Sequence, residues 1–132
     1  MRFVLSFTAL ALVLGAAFGA KSSEERFLQY HAKALTSAPL KLGDSGYRTL
    51  TAAPRDYSVS VLLTAMDPRY GCQLCREFQS EWELLAKSWT KGDKKGESRT
   101  IFATLDFSDG RETFLSVRTL ASDTLEALGH IR

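Results

Sequence analysis

Between residues 58 and 105 the hydrophobic period of this chain changes twice, and that alternation constrains the fold more than any other feature. In "SVSVLLTAM", Val59, Val61 and Leu63 alternate with Ser58, Ser60 and Leu62, and the run ends apolar on both faces, the pattern of an interior strand. After "DPRYG" the step lengthens. Cys75, Phe78, Trp82, Leu85 and Trp89 recur at helical spacing, which predicts one core-facing stripe with Trp82 and Trp89 as packing residues. "RTIFATLDF" then returns to β-branched and aromatic residues, with Ile101, Ala103 and Leu105 on one face. A strand, a helix and a strand joined by short connections imply a right-handed crossover between parallel strands, so the expected fold class is α/β around a parallel βαβ core.

The flanks are shorter and less regular. Ser22-x-x-Glu25 is a capping-box pattern that predicts a helix over residues 24–35, ended before Pro39. A short strand is expected at 40–42. A short helix then runs through 47–51, with Asp44 and Ser45 as capping candidates. Asp109-Gly110 marks a turn, "RETFLSV" starts another helical pattern, and "SDTLEALGHIR" is weakly helical.

Charge and length narrow the function classes. With 132 residues there is room for one small domain, and a formal charge of +2 gives no basis for a nucleic-acid partner. "KGDKKGESR" mixes signs and glycines and reads as a solvated loop. The first twenty residues carry one basic residue, Arg2, then an apolar run and small residues, which is the plan of a secretory signal peptide. Cleavage after Gly19 places Ala17 and Gly19 at the small-residue positions. A membrane anchor fits less well, because the run is short and interrupted by Gly15 and Gly19. Secretion places the cysteines in an oxidising compartment.

Cys72 and Cys75 are the two cysteines of the chain. Three readings of Cys72-Gln-Leu-Cys75 compete. A closed zinc site needs two more ligands, and the two histidines, His31 and His130, are far from the pair and not in zinc-site spacing, so no metal or other cofactor is expected. A purely structural staple closes too small a loop to restrain much of the unfolded chain. Thiol exchange fits the position best. Cys72 falls where a strand ends and a helix begins, where unpaired N–H groups and the helix dipole favour a thiolate. Arg69 and Arg76 act in the same direction, and a thiol in such a setting titrates below its free value of about 8.5. Cys75, one turn on and on the apolar face, suits a resolving thiol.

With these residues in view, the chain resembles a known family. Pro54-Arg55-x-Tyr57-Ser58-Val59, Cys72-x-x-Cys75-Arg76, Leu84-Leu85-Ala86-x-Ser88-Trp89 and Asp106-Phe107-x-Asp109-Gly110 are similar to the luminal domain of the thioredoxin-like accessory subunits of oligosaccharyltransferase. Gln73-Leu74 between the cysteines separates it from glutaredoxins, thioredoxins and disulfide isomerases. The resemblance covers residues from about Leu40 to Phe114 and implies a thioredoxin-like fold, incomplete at the C-terminus. It implies that Cys72 bonds a cysteine of a nascent glycoprotein in a transient mixed disulfide and that Cys75 releases it, which delays client folding while another subunit attaches the glycan. The implied partners are nascent glycoproteins with free cysteines and other subunits of the complex, in the endoplasmic reticulum lumen.

The expected organisation is a signal peptide at 1–19, a helix and linker at 20–38, a partial thioredoxin-like domain at 39–114 and a divergent tail at 115–132. After Phe114 the sequence holds no proline and no recognisable continuation, so the family's further strands, its cis-proline loop and its four membrane-spanning helices are expected to be missing from it. Two other functions stay open: a soluble thiol-disulfide oxidoreductase of the secretory pathway, and a non-catalytic peptide-binding module. Magnesium transport, suggested by some family names, would need the membrane helices.

Overall fold

The computed structural model describes residues 21–129, with side chains through residue 120. The expected signal peptide therefore lies outside the described residues. Helix α1 (Ser23–Thr36) is followed by β1 (Leu40–Leu42), α2 (Asp44–Thr51), β2 (Ser58–Thr64), a single 3-10 turn at Pro68–Tyr70, α3 (Gln73–Gly92), β3 (Thr100–Asp106) and α4 (Arg111–Gly129). The capping box forms as the sequence predicts: Glu25 N–H donates to the Ser22 hydroxyl, and Ser22 N–H to the Glu25 carboxylate. Among the described residues no helix is long and apolar enough to cross a membrane.

The three strands form one parallel sheet in the order β1-β3-β2. The βαβ unit is β2-α3-β3, with register from Ser58 opposite Thr100 to Thr64 opposite Asp106. Strand β3 is the interior strand, buried from Ile101 through Leu105. Strand β2 pairs on one side only among the described residues, although its pattern predicts an interior position. Its apolar character has a different cause. Val59, Val61 and Leu63 pack on the α1 and α2 side, while Leu62 packs toward α3. Covered faces and paired edges leave the same signature in sequence.

The main core lies on the α1 and α2 side of the sheet. Phe27, Ala34, Leu40, Leu42, Leu50 and Tyr57 close over Ile101, Ala103 and Leu105, the last two fully buried. Each large apolar side chain buried there contributes roughly 1.5–3 kcal/mol. Buried Arg26 explains part of the family-like segment before β2. Its guanidinium donates to the carbonyls of Ala52 (2.9 Å) and Pro54 (2.5 Å), and the Tyr57 hydroxyl donates to Leu50 O at 2.6 Å. Carbonyl dipoles thus replace the water that the cation gives up.

The other face is thinner. Trp82, Ala86 and Phe102 form its buried cluster, and Trp82 Nε1–H donates to the Thr104 hydroxyl at 3.0 Å. The stripe expected to face the core is only partly covered, because Phe78 is 46% exposed, Leu85 48% and Trp89 44%. A three-stranded sheet contacts α3 along a narrow line through Trp82 and Ala86, so the flank of a wider apolar stripe overhangs it. Trp89 lies against the Phe102 ring at 5.9 Å and donates its indole N–H to Ser98, so it caps the rim and does not fill the core.

Candidate functional site

The chain leaves β2 at Thr64, passes through the 3-10 turn and enters α3 at Gln73, and the cysteines sit at that entry. Asp67 caps the turn by accepting from Arg69 N–H at 3.0 Å. Gly71 then adopts φ +60°, a left-handed conformation that glycine takes without steric cost and that turns the backbone into the helix. Cys72 is the N-cap residue of α3. Its sulfur accepts from Cys75 N–H at 3.1 Å and forms a disulfide with Cys75 across a Cα–Cα distance of 5.3 Å.

Both cysteines are half-buried, so the disulfide lies at the surface with one side against the fold. The neighbouring Leu74 is 74% exposed. The two arginines expected to reinforce the site differ. Arg69 pairs with Asp67 at 2.8 Å and covers the Tyr70 ring, which spends its charge within the turn. Arg76 is exposed on the first turn of α3.

The loop before Cys72 is held by residues more than thirty positions away. Asp106, at the end of β3, accepts from Met66 N–H at 2.8 Å and from Ser108 N–H at 2.9 Å, and Phe107 N–H donates to Thr64 O at 2.8 Å. Burial opposes ionisation of the Asp106 carboxyl, but the hydrogen bonds from Met66 and Ser108 together outweigh it and hold the group below the usual carboxylate range. The Tyr70 ring meets the Phe107 ring edge-on at 5.1 Å, and Phe107 meets Phe114 in the same way at 5.3 Å. Asp106-Phe107 thus supports the cysteine loop, a role that its quoted motif gave no means of reading. Gly110 of the same motif is needed for space, since a Cβ there would lie 2.5 Å from the Leu105 side chain.

Asp44, expected to cap its own helix, caps α4 instead. It accepts from Thr113 N–H at 2.8 Å and from the Thr113 hydroxyl at 2.7 Å, and these bonds lower its titration. Beside the first turns of α3 a cavity of about 370 Å³ is lined by Thr64, Met66, Gln79, Thr104 and Asp106. Thr64 Oγ1 and Gln79 Oε1 are buried there without a partner among the described residues. No cluster of three metal-binding side chains occurs among the described residues.

A parallel βαβ unit presenting a Cys-x-x-Cys disulfide at its strand-to-helix junction defines a thioredoxin-like domain. Residues 25–120 match the OST3/OST6 family, described as a transporter family, and the chain belongs to that family. Among its relatives, the zebrafish (Danio rerio) dolichyl-diphosphooligosaccharide–protein glycosyltransferase subunit MAGT1 is 38% identical over 72 residues, which is 54% of this chain and 22% of that protein. The human (Homo sapiens) MAGT1 subunit is 36% identical over 72 residues, 54% of this chain and 21% of that protein. Subunit 3 of the same enzyme from Saccharomyces cerevisiae is 40% identical over 52 residues, 39% of this chain and 14% of that protein. The chain thus spans about a fifth of the length of the animal relatives it matches.

Proposed function

We propose that this chain serves an oligosaccharyltransferase complex as an accessory subunit that holds nascent glycoproteins through Cys72, in the lumen of the endoplasmic reticulum, after residues 1–19 have directed its secretion. The observation that carries the reading is the disulfide at the N-cap of α3 in a chain of the OST3/OST6 family. That its relatives are named as glycosyltransferase subunits supports the complex as partner.

The exchange balances without an external oxidant. A client thiolate attacks the Cys72 sulfur, a bond forms between them, and the Cys72–Cys75 bond breaks with its electron pair leaving on Cys75. Cys75 takes a proton from solvent while the client is held. Release reverses the sequence: the Cys75 thiolate attacks the Cys72 sulfur, and the client leaves as a thiolate in its original oxidation state. When Cys72 itself carries the negative charge, the first N–H groups of α3 stabilise it. Asp106, Gly71 and the Tyr70–Phe107 contact fix where that sulfur stands.

A cysteine peptide activated as a thionitrobenzoate mixed disulfide tests the assignment. Cys75→Ser is expected to release thionitrobenzoate and retain the peptide on Cys72, while the wild-type dithiol releases the peptide again by closing its disulfide. A stable adduct on Cys75 in the Cys72→Ser variant at equal rate, or none on Cys72, would overturn the roles given to the two sulfurs.

A further inference from the structure

A groove far from the cysteines in sequence separates the C-terminal ends of α1 and α3. It encloses about 650 Å³ between Ala34, Leu35 and Ala38 on one side and Lys87, Lys91 and Lys94 on the other. Lys87 and Lys91 are one turn apart on α3, Lys94 lies in the turn just after it, and all three are exposed. Lys87 pairs with Glu83 at 3.1 Å, whereas neither Lys91 nor Lys94 forms an ion pair among the described residues. Leu35, in the lining of the groove, is 47% exposed. The C-terminal end of α1, with Leu35 and Ala38, therefore stands across the groove from ammonium groups at the end of α3 and in the turn after it.

We propose that this groove docks an acidic amphipathic segment of a protein partner, with its apolar side chains over Leu35 and Ala38 and its carboxylates on Lys87, Lys91 and Lys94. Charge complementarity selects the sign of the partner. Both helices present their C-terminal, partly negative ends here, so the backbone repels an anion and the lysines alone must hold it. Shape selects a peptide over an anionic bilayer. The apolar and ammonium groups line opposite sides of one concave groove, which a peptide segment can fill and a flat lipid surface cannot. A helix laid in a groove by its apolar face, with charges at the rim, is an established recognition mode.

The test is a titration of the full chain against a labelled synthetic peptide with leucines at helical spacing flanked by glutamates, read by fluorescence anisotropy. Saturable binding that weakens as salt is raised is expected. Lys91→Glu with Lys94→Glu should weaken it about tenfold or more, since two contacts become repulsions. Leu35→Gln should weaken it without changing the salt dependence. The Cys72→Ser/Cys75→Ser variant should bind as the wild type does, so failure of the thiol-exchange reading leaves this one standing, and the reverse holds. Lack of saturation, or equal binding by the lysine variant, overturns the proposal. So does salt-sensitive binding to phosphatidylserine vesicles through the same lysines with none to the peptide, because it assigns the groove to a membrane.

Discussion

The two faces of the sheet differ in how they are held. The α1 and α2 face buries a contiguous cluster around Ile101, Ala103 and Leu105, whereas the α3 face rests on Trp82, Ala86 and Phe102. The candidate site belongs to the second face, yet its loop is pinned by Asp106 and by the Tyr70–Phe107–Phe114 ring series. Stability and site geometry thus draw on largely separate residues, and each side can be weakened with limited effect on the other.

The strongest way to break the comparison is in the main core. Leu105→Ala should cost about 2–5 kcal/mol in urea denaturation, because it empties a fully buried position at the centre of the sheet. An effect as large from any single α3 residue other than Trp82 or Ala86 would show that the faces are held alike. Trp82→Phe should cost about 1–2 kcal/mol, since it removes the donor to Thr104 inside the thinner cluster. Asp106→Asn should lower global stability by about 1 kcal/mol or less while hydrogen exchange at Met66 and Ser108 rises clearly. Unchanged exchange at those amides would mean that the carboxylate does not hold the loop. The smallest effect is expected at Leu85→Ser, within roughly 0.5 kcal/mol, because its side chain is already half in water.

Acid should sharpen the same contrast. Asp44 and Asp106 both titrate below the usual carboxylate range in the folded chain. Groups depressed in this way contribute stability above their unfolded value of about 3.9, and that contribution is lost as pH falls through the folded one. Exchange at Met66 and at the first turn of α4 should therefore rise below about pH 4, and Asp106→Asn should remove the pH dependence at Met66 alone. A pH-independent Met66 amide in the wild type would contradict the assignment.

Much of the site is legible in the sequence. Cys72-x-x-Cys75 between a strand pattern and a helical one located the disulfide at the entry to α3, and the family resemblance rested on segments that the structure gathers around it. Arg69, expected to act on Cys72, is found paired with Asp67 two residues earlier, a partner that the sequence reading did not weigh. The support from Asp106 was not legible at all. A carboxylate in a strand-end turn gives no sign of which amide, forty positions away, will meet it.

By itself the sequence determined the order and type of the elements, the Ser22–Glu25 cap and the position of the cysteines, because these follow from local period, local hydrogen bonding and backbone sterics. The tertiary structure alone decided that β3 is interior and β2 lies at the edge among the described residues. It also decided that Phe78, Leu85 and Trp89 overhang the sheet, that Asp44 caps α4, and that Arg26 is satisfied by the carbonyls of Ala52 and Pro54. The physical reason is that period reports which face of an element is apolar, not how much neighbouring surface arrives to cover it. Partners distant in sequence are chosen only when the chain closes on itself.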